Sequence, residues 1–105
     1  MSRTAADARA DHARATQTHA DLLALRELLS GLDGRFSEVA YHPDDAATFR
    51  ELRASLQPVT DRAVDTLETL ATTEALRAAA TDLEASRLEA EEERDADAGP
   101  IALSA

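Results

Sequence analysis

Leu22-Leu23-Ala24-Leu25-Arg26-Glu27-Leu28-Leu29-Ser30-Gly31-Leu32-Asp33-Gly34-Arg35-Phe36-Ser37-Glu38-Val39 carries the pattern that decides the fold. Within it Leu22, Leu25, Leu29, Leu32, Phe36 and Val39 follow steps of 3, 4, 3, 4 and 3. That alternation places one apolar stripe along a helix at coiled-coil spacing. The stripe passes through Gly31 and Gly34 without losing phase, although each glycine costs about 1 kcal/mol in a helix interior. The first helix is therefore predicted to run from about residue 4 to about 40. The rival reading ends it at Gly31 and leaves 32–42 as loop.

Tyr41-His42-Pro43-Asp44-Asp45 reads as a turn, with residues 41–43 at its centre. The residue before a proline is pushed out of the helical region. Proline itself suits the first position of a helix, and acids in the first turn complement the helix dipole. A second helix over about 44–95 is expected, capped by His42 or a neighbour. Its apolar stripe takes Phe49, Leu52, Leu56, Val59, Ala63, Thr66 or Leu67, and Leu70. Pro58 lies inside it, so the arm is expected to kink there or to split, the split giving a three-helix arrangement. After Leu70 the stripe continues at Thr73, Leu76, Ala80, Leu83, Arg87 and Ala90, but the steps across 70, 73 and 76 are both 3. Such a stammer overwinds a coiled coil locally, at the weak helix formers Thr72 and Thr73.

The two stripes match as an antiparallel pair. Phe36 faces Phe49, Leu32 faces Leu52, Leu29 faces Leu56, Leu25 faces Val59 and Leu22 faces Ala63, with residue numbers adding to 84 or 85. The structural seam is thus Leu22, Leu25, Leu29, Leu32 and Phe36 against Phe49, Leu52, Leu56, Val59 and Leu70. This register leaves residues from about 86 onward, including Glu89, Glu91, Glu92, Glu93, Asp95 and Asp97, without a partner in the same chain. The expected architecture is all-α: a long antiparallel, coiled-coil-like helical hairpin over residues 1–96 as a single domain, with a flexible tail over 97–105. Leu, Val, Ile and Phe make up 20 of 105 residues against 24 Ala, so the core is thin. A homodimer forming a four-helix bundle, with Leu23 and Leu28 on its second face, would remedy that.

Composition narrows the function. Net charge is −10, with 11 Lys+Arg, all of them Arg, and 21 Asp+Glu. Phosphate and anionic membrane surfaces need clustered cations, so neither nucleic acid nor membrane is an expected partner. The absence of Cys removes disulfides, thiolate metal sites and cysteine nucleophiles. Met1 to Ala20 has no apolar core of a signal peptide, and cytoplasm is the default location. His12 and His19, seven apart, lack the three- or four-residue spacing of helical metal ligands and read as surface histidines. Asp61, Asp65 and Glu68 form an acidic stripe, as do Glu89, Glu92 and Glu93; both read as solvated faces. No phosphate loop or nucleophile elbow is present. No catalytic, cofactor or metal residue is nominated.

Leu22-Leu23-Ala24-Leu25-Arg26-Glu27, with Ser30, Leu32 and Asp33, resembles the opening of the first helix in the all-helical chorismate mutases. The resemblance covers about twelve residues. It implies an intertwined helical dimer and an enzyme whose basic pocket binds a dicarboxylate, with Arg26 as the first-helix arginine. The family's next arginine would fall at Pro43 and its lysine near Ala54, in a chain with no Lys. The hairpin of about 100 residues is also similar to the small secreted actinobacterial proteins with a Trp-x-Gly turn. Tyr41 and Asp45 imitate their Y-x-x-x-D signal, but the chain has no Trp. The resulting expectation is a non-enzymatic interaction, scaffolding or regulatory protein that self-associates and binds a protein partner. The alternatives are a small helical enzyme of the chorismate mutase kind and a helical-bundle metal-binding protein.

Overall fold

The computed structural model describes residues 3–104, and the side chains of 3–97. The elements are α1 (Ala5–Ser30), α2 (Leu32–Glu38), a 3-10 turn (Pro43–Asp45) and α3 (Ala46–Ser104). Among the described residues there is no strand, and no helix is long and apolar enough to cross a membrane. The fold is an all-α helical hairpin.

α1 starts on a reciprocal cap. The Asp7 backbone N–H donates to Thr4 Oγ1 at 3.2 Å, and the Thr4 N–H donates to Asp7 Oδ2 at 3.1 Å. Two orphan donors of the first turn are thereby satisfied. Hydrogen bonds from the backbone and side chain of Thr4 hold the Asp7 carboxyl below its usual range. At the far end, the predicted run to about 40 is interrupted at one residue, Gly31, and α2 stops at Glu38. The interruption is shallow. Gly31 N–H still donates to Glu27 O at 3.0 Å, and Arg35 N–H donates to Gly31 O at 3.1 Å. Gly31 itself has φ −82° and ψ −5°, a conformation open to any residue. Val39, with φ −72° and ψ 124°, turns the chain out of the helix.

His42 caps the next turn: its Nδ1 accepts from the Asp44 N–H at 3.1 Å, with Pro43 directly after it. Tyr41 stacks on Phe49, ring centroids 4.7 Å apart and planes 19° apart. Such a pair contributes about 1 kcal/mol beyond its burial. α3 then passes through Pro58 and through Thr72-Thr73 without a break. The expected split at Pro58 is therefore not found; the break in the helices falls at Gly31 instead. The hydroxyls of Thr69 and Thr72 return to the carbonyls of Asp65 and Glu68, which keeps these weak helix formers hydrogen-bonded inside the helix. Helical backbone is described to Ser104; the tail expected over 97–105 falls mostly on residues whose side chains lie outside the described ones.

The chain divides into two compact units, Met1–Thr18 with Thr73–Ala105, and His19–Thr72. In the first, the buried residues are Ala5, Ala8, Ala15 and Ala85, at 6, 0, 3 and 0 % exposure. In the second, Ala71 is buried, while Leu22, Leu23, Leu29, Leu32, Phe36, Phe49, Leu56 and Leu67 are half-buried. The seam residues Leu25, Leu52, Val59 and Leu70 stand at 50, 46, 63 and 47 % exposure.

Near the turn, Phe36 and Phe49 line one small cavity, Leu29 and Leu56 a second, and Leu25 and Val59 a third. Farther out, His19 meets Ala71 and His12 meets Ala78, whose numbers add to 90. Residues of α1 thus meet residues of α3 about five places later than expected. As a result Glu84, Glu89 and Glu92 bond to Arg3, Arg9 and the Ala5 amide. Glu89 and Glu92, expected to lack a partner in the same chain, thus have one. The stripe Leu76, Ala80 and Leu83 faces outward, with Leu76 and Leu83 at 68 and 73 % exposure.

Candidate functional site

A row of polar cross-helix bonds recurs every seventh residue along α1 and α2, at positions 5, 12, 19, 26 and 33. The Ala5 N–H, in the first turn of α1, donates to Glu92 Oε1 at 3.1 Å, a carboxylate placed at the positive end of a helix. His12 Nδ1 lies 2.8 Å from Ala78 O, and His19 Nδ1 lies 2.8 Å from Ala71 O. A carbonyl only accepts, so Nδ1 carries the proton in both rings. Arg26 Nε donates to Glu68 Oε1 at 2.9 Å, and Arg53 grips Asp33 with two N–H groups. The guanidinium of Arg53 holds the Asp33 carboxyl below its usual range. Arg9 does the same for Asp82, which it meets at 2.7 Å.

The histidines were expected at the surface. They are half-buried, and each reaches the backbone of the opposite helix. Alanine explains why. Ala8, Ala15 and Ala85 are buried, and side chains this small let packed helices approach closely. An imidazole four residues beyond Ala8, and another four beyond Ala15, then spans the gap. The signal was present in the sequence as Ala-x-x-x-His repeated at a seven-residue interval.

Three hollows deserve description by their chemistry. In the His19–Thr72 unit, one of about 450 Å³ has an apolar floor of Leu29, Leu32, Phe36 and Leu56. Its rim carries Arg53 together with Asp33, Asp61 and Asp65. A second in that unit, about 670 Å³, is apolar, and Arg62 is its one charged lining residue. In the other unit a hollow of about 300 Å³ is lined by Asp11, Arg14, Thr18, Glu74 and Arg77, all polar or charged, along with Ala15 and Thr81. Arg26, which the chorismate mutase resemblance places in a basic pocket, is bound to Glu68 and lines none of the three. The one hollow with both an apolar floor and a polar rim has three carboxylates to one guanidinium, opposite in sign to a dicarboxylate pocket.

The acidic stripes are mostly engaged with their own helix or its neighbour. Asp61 accepts from Gln57 at 2.9 Å, Glu68 from Arg26, Glu89 from Arg9 and Glu92 from the Ala5 amide. Among the described residues no group of three or more His, Asp or Glu side chains is placed to hold a metal ion. No protein-family model, curated protein or solved structure matches this chain.

Proposed function

We propose that this chain acts through its surface, as a non-enzymatic helical interaction protein that self-associates and engages a protein partner. One observation carries the reading. Among the described residues the buried side chains are all alanine, while Leu25, Leu28, Val39, Tyr41, Leu52, Val59, Leu70, Leu76 and Leu83 stand 42 to 73 % exposed. A soluble chain that keeps its large apolar side chains outside its own core has surface to bury against another molecule. Helical surfaces with three- and four-residue apolar spacing bury it against other helices. The titratable groups support the same view. Those shifted from their usual range, Arg3, Asp7, Arg9, Asp33, Arg53 and Asp82, owe it to hydrogen bonds that hold the hairpin or its caps.

The test is the mass in solution across a dilution series, by light scattering after size exclusion or by sedimentation equilibrium. Self-association predicts a species at twice the chain mass of 11.2 kDa that dissociates on dilution. A mass of one chain at every concentration would remove self-association from the reading.

A further inference from the structure

We infer that a second copy of this chain packs on the apolar hollow of the His19–Thr72 unit, two copies meeting face to face with that hollow at their common centre. The inference rests on the self-association proposed above and adds the surface and the occupant. The hollow, about 670 Å³, lies between α1 and α3; Leu25, Leu28, Val59 and Leu67 line it. Leu25, Leu28 and Val59 are 50, 56 and 63 % exposed.

Area argues for an occupant of this size. The chain exposes 7787 Å². A compact monomer of its mass exposes about 5,700 Å² by the usual scaling of surface with mass. The excess is roughly 2,100 Å², and an ordinary stable interface takes roughly 800 Å² from each partner. A second copy therefore fits within the excess and leaves surface for another protein.

Shape and charge argue that the occupant is a copy. A face-to-face dimer uses the same patch on both molecules, so the patch must carry both a ridge and a recess. This one does: Leu28 of α1 and Val59 of α3 both stand out beside the recess they line. The outward ridge of Leu76 and Leu83 belongs to α3 alone. Two chains of net charge −10 repel, so they meet best where acids are fewest. The apolar hollow has no acid in its lining, whereas the neighbouring 450 Å³ hollow has three. Arg62 can lay its aliphatic stem along the interface and offer its guanidinium to the other copy's acidic surroundings.

The test compares three variants with the wild type, by mass in solution and by circular dichroism. Leu28→Asp with Val59→Asp should yield a monomer of unchanged helicity, its dimer Kd raised about 100-fold or more, as for loss of central interface anchors. Leu76→Ser with Leu83→Ser should remain dimeric. Leu28→Cys, the one thiol in a chain without Cys, should form a disulfide-linked dimer under mild oxidation. It reads the interface even where the double Asp variant fails to fold. A wild-type dimer that survives both Asp substitutions, or that gives no Leu28→Cys cross-link, overturns this surface and leaves self-association standing. A wild type that is monomeric throughout overturns both, and leaves the hollow to a different protein.

Discussion

The unit of Met1–Thr18 with Thr73–Ala105 and the unit of His19–Thr72 solve the same problem, two helices side by side, with opposite materials. The first uses alanine: Ala8 and Ala85 are wholly buried, and around them Arg9 and His12 bond to Asp82, Glu89 and Ala78. The second uses leucine and phenylalanine, half-buried, with hollows of about 450 and 670 Å³ along them. Small residues bury completely and carry little apolar area of their own. Large residues on only two helices cannot be surrounded, so their outer halves face water. Among the described residues, the leucine-bearing unit combines exposed large apolar side chains with an apolar recess.

The sharpest way to break that comparison is to exchange the materials. Ala85→Leu adds a side chain where there is no space, and overpacking of a tight contact costs about 3 kcal/mol at the upper end of its usual range. Leu29→Ala in the other unit removes a half-buried side chain that already borders a hollow. Full burial would make that change cost about 2 to 5 kcal/mol, and partial burial brings it to about 1. Urea denaturation of both variants decides it. A Leu29→Ala protein less stable than Ala85→Leu would mean that the alanine contact is loose and the leucine unit is the tight one.

The same contrast explains what was legible in the sequence. Near the turn, Leu29, Phe36, Phe49 and Leu56 announce themselves by size and spacing; Phe36 and Phe49 border one cavity, and Leu29 and Leu56 another. The turn itself was legible in His42-Pro43-Asp44 for reasons of backbone geometry. Away from the turn, hydrophobicity misled. Leu76 and Leu83 look like core and face outward, while Ala78, Thr81 and Ala85 are among the less exposed residues of that stretch. His12 and His19 look like surface and face inward. Alanine is so common here that its periodicity is hard to see, and a histidine bound to a backbone carbonyl has no partner residue type to search for. Leu28 and Val59, which line the same apolar hollow, were read as belonging to a second face and to the seam respectively.

A finer probe of the comparison lies in the two histidines, which make the same bond in different surroundings. His12→Ala should cost about 1 kcal/mol, the usual net value of one hydrogen bond, because the Ala78 carbonyl can keep its own helical partner. His19→Ala should cost less, since the unit around it is more open and water can replace the ring. Amide hydrogen exchange reads both changes locally. Equal losses of protection, or a larger loss from His19→Ala, would show that tight packing around His12 adds nothing to its bond.

The smallest expected effect comes from acid. Asp7 and Asp82 in the first unit and Asp33 in the second are held below the ordinary carboxyl value of 3.8 by Thr4, Arg9 and Arg53 respectively. A carboxyl with a lowered folded-state pKa adds stability above its unfolded value, and that stability disappears as pH falls through the lower folded value. Acidification below about pH 4 should therefore weaken both units, and the first more, because it holds two such groups to the other's one. Loss of carboxylate charge from a chain of net −10 acts in the opposite direction on both, by relieving repulsion. Paired variants separate the two effects. Asp33→Asn and Asp82→Asn keep nearly all of the repulsion but lose one ion pair each. Below about pH 4, wild-type stability should fall toward that of each variant, and the gap at neutral pH should close. A gap that stays constant across that range would mean the pair contributes through packing and not through charge, in the unit concerned.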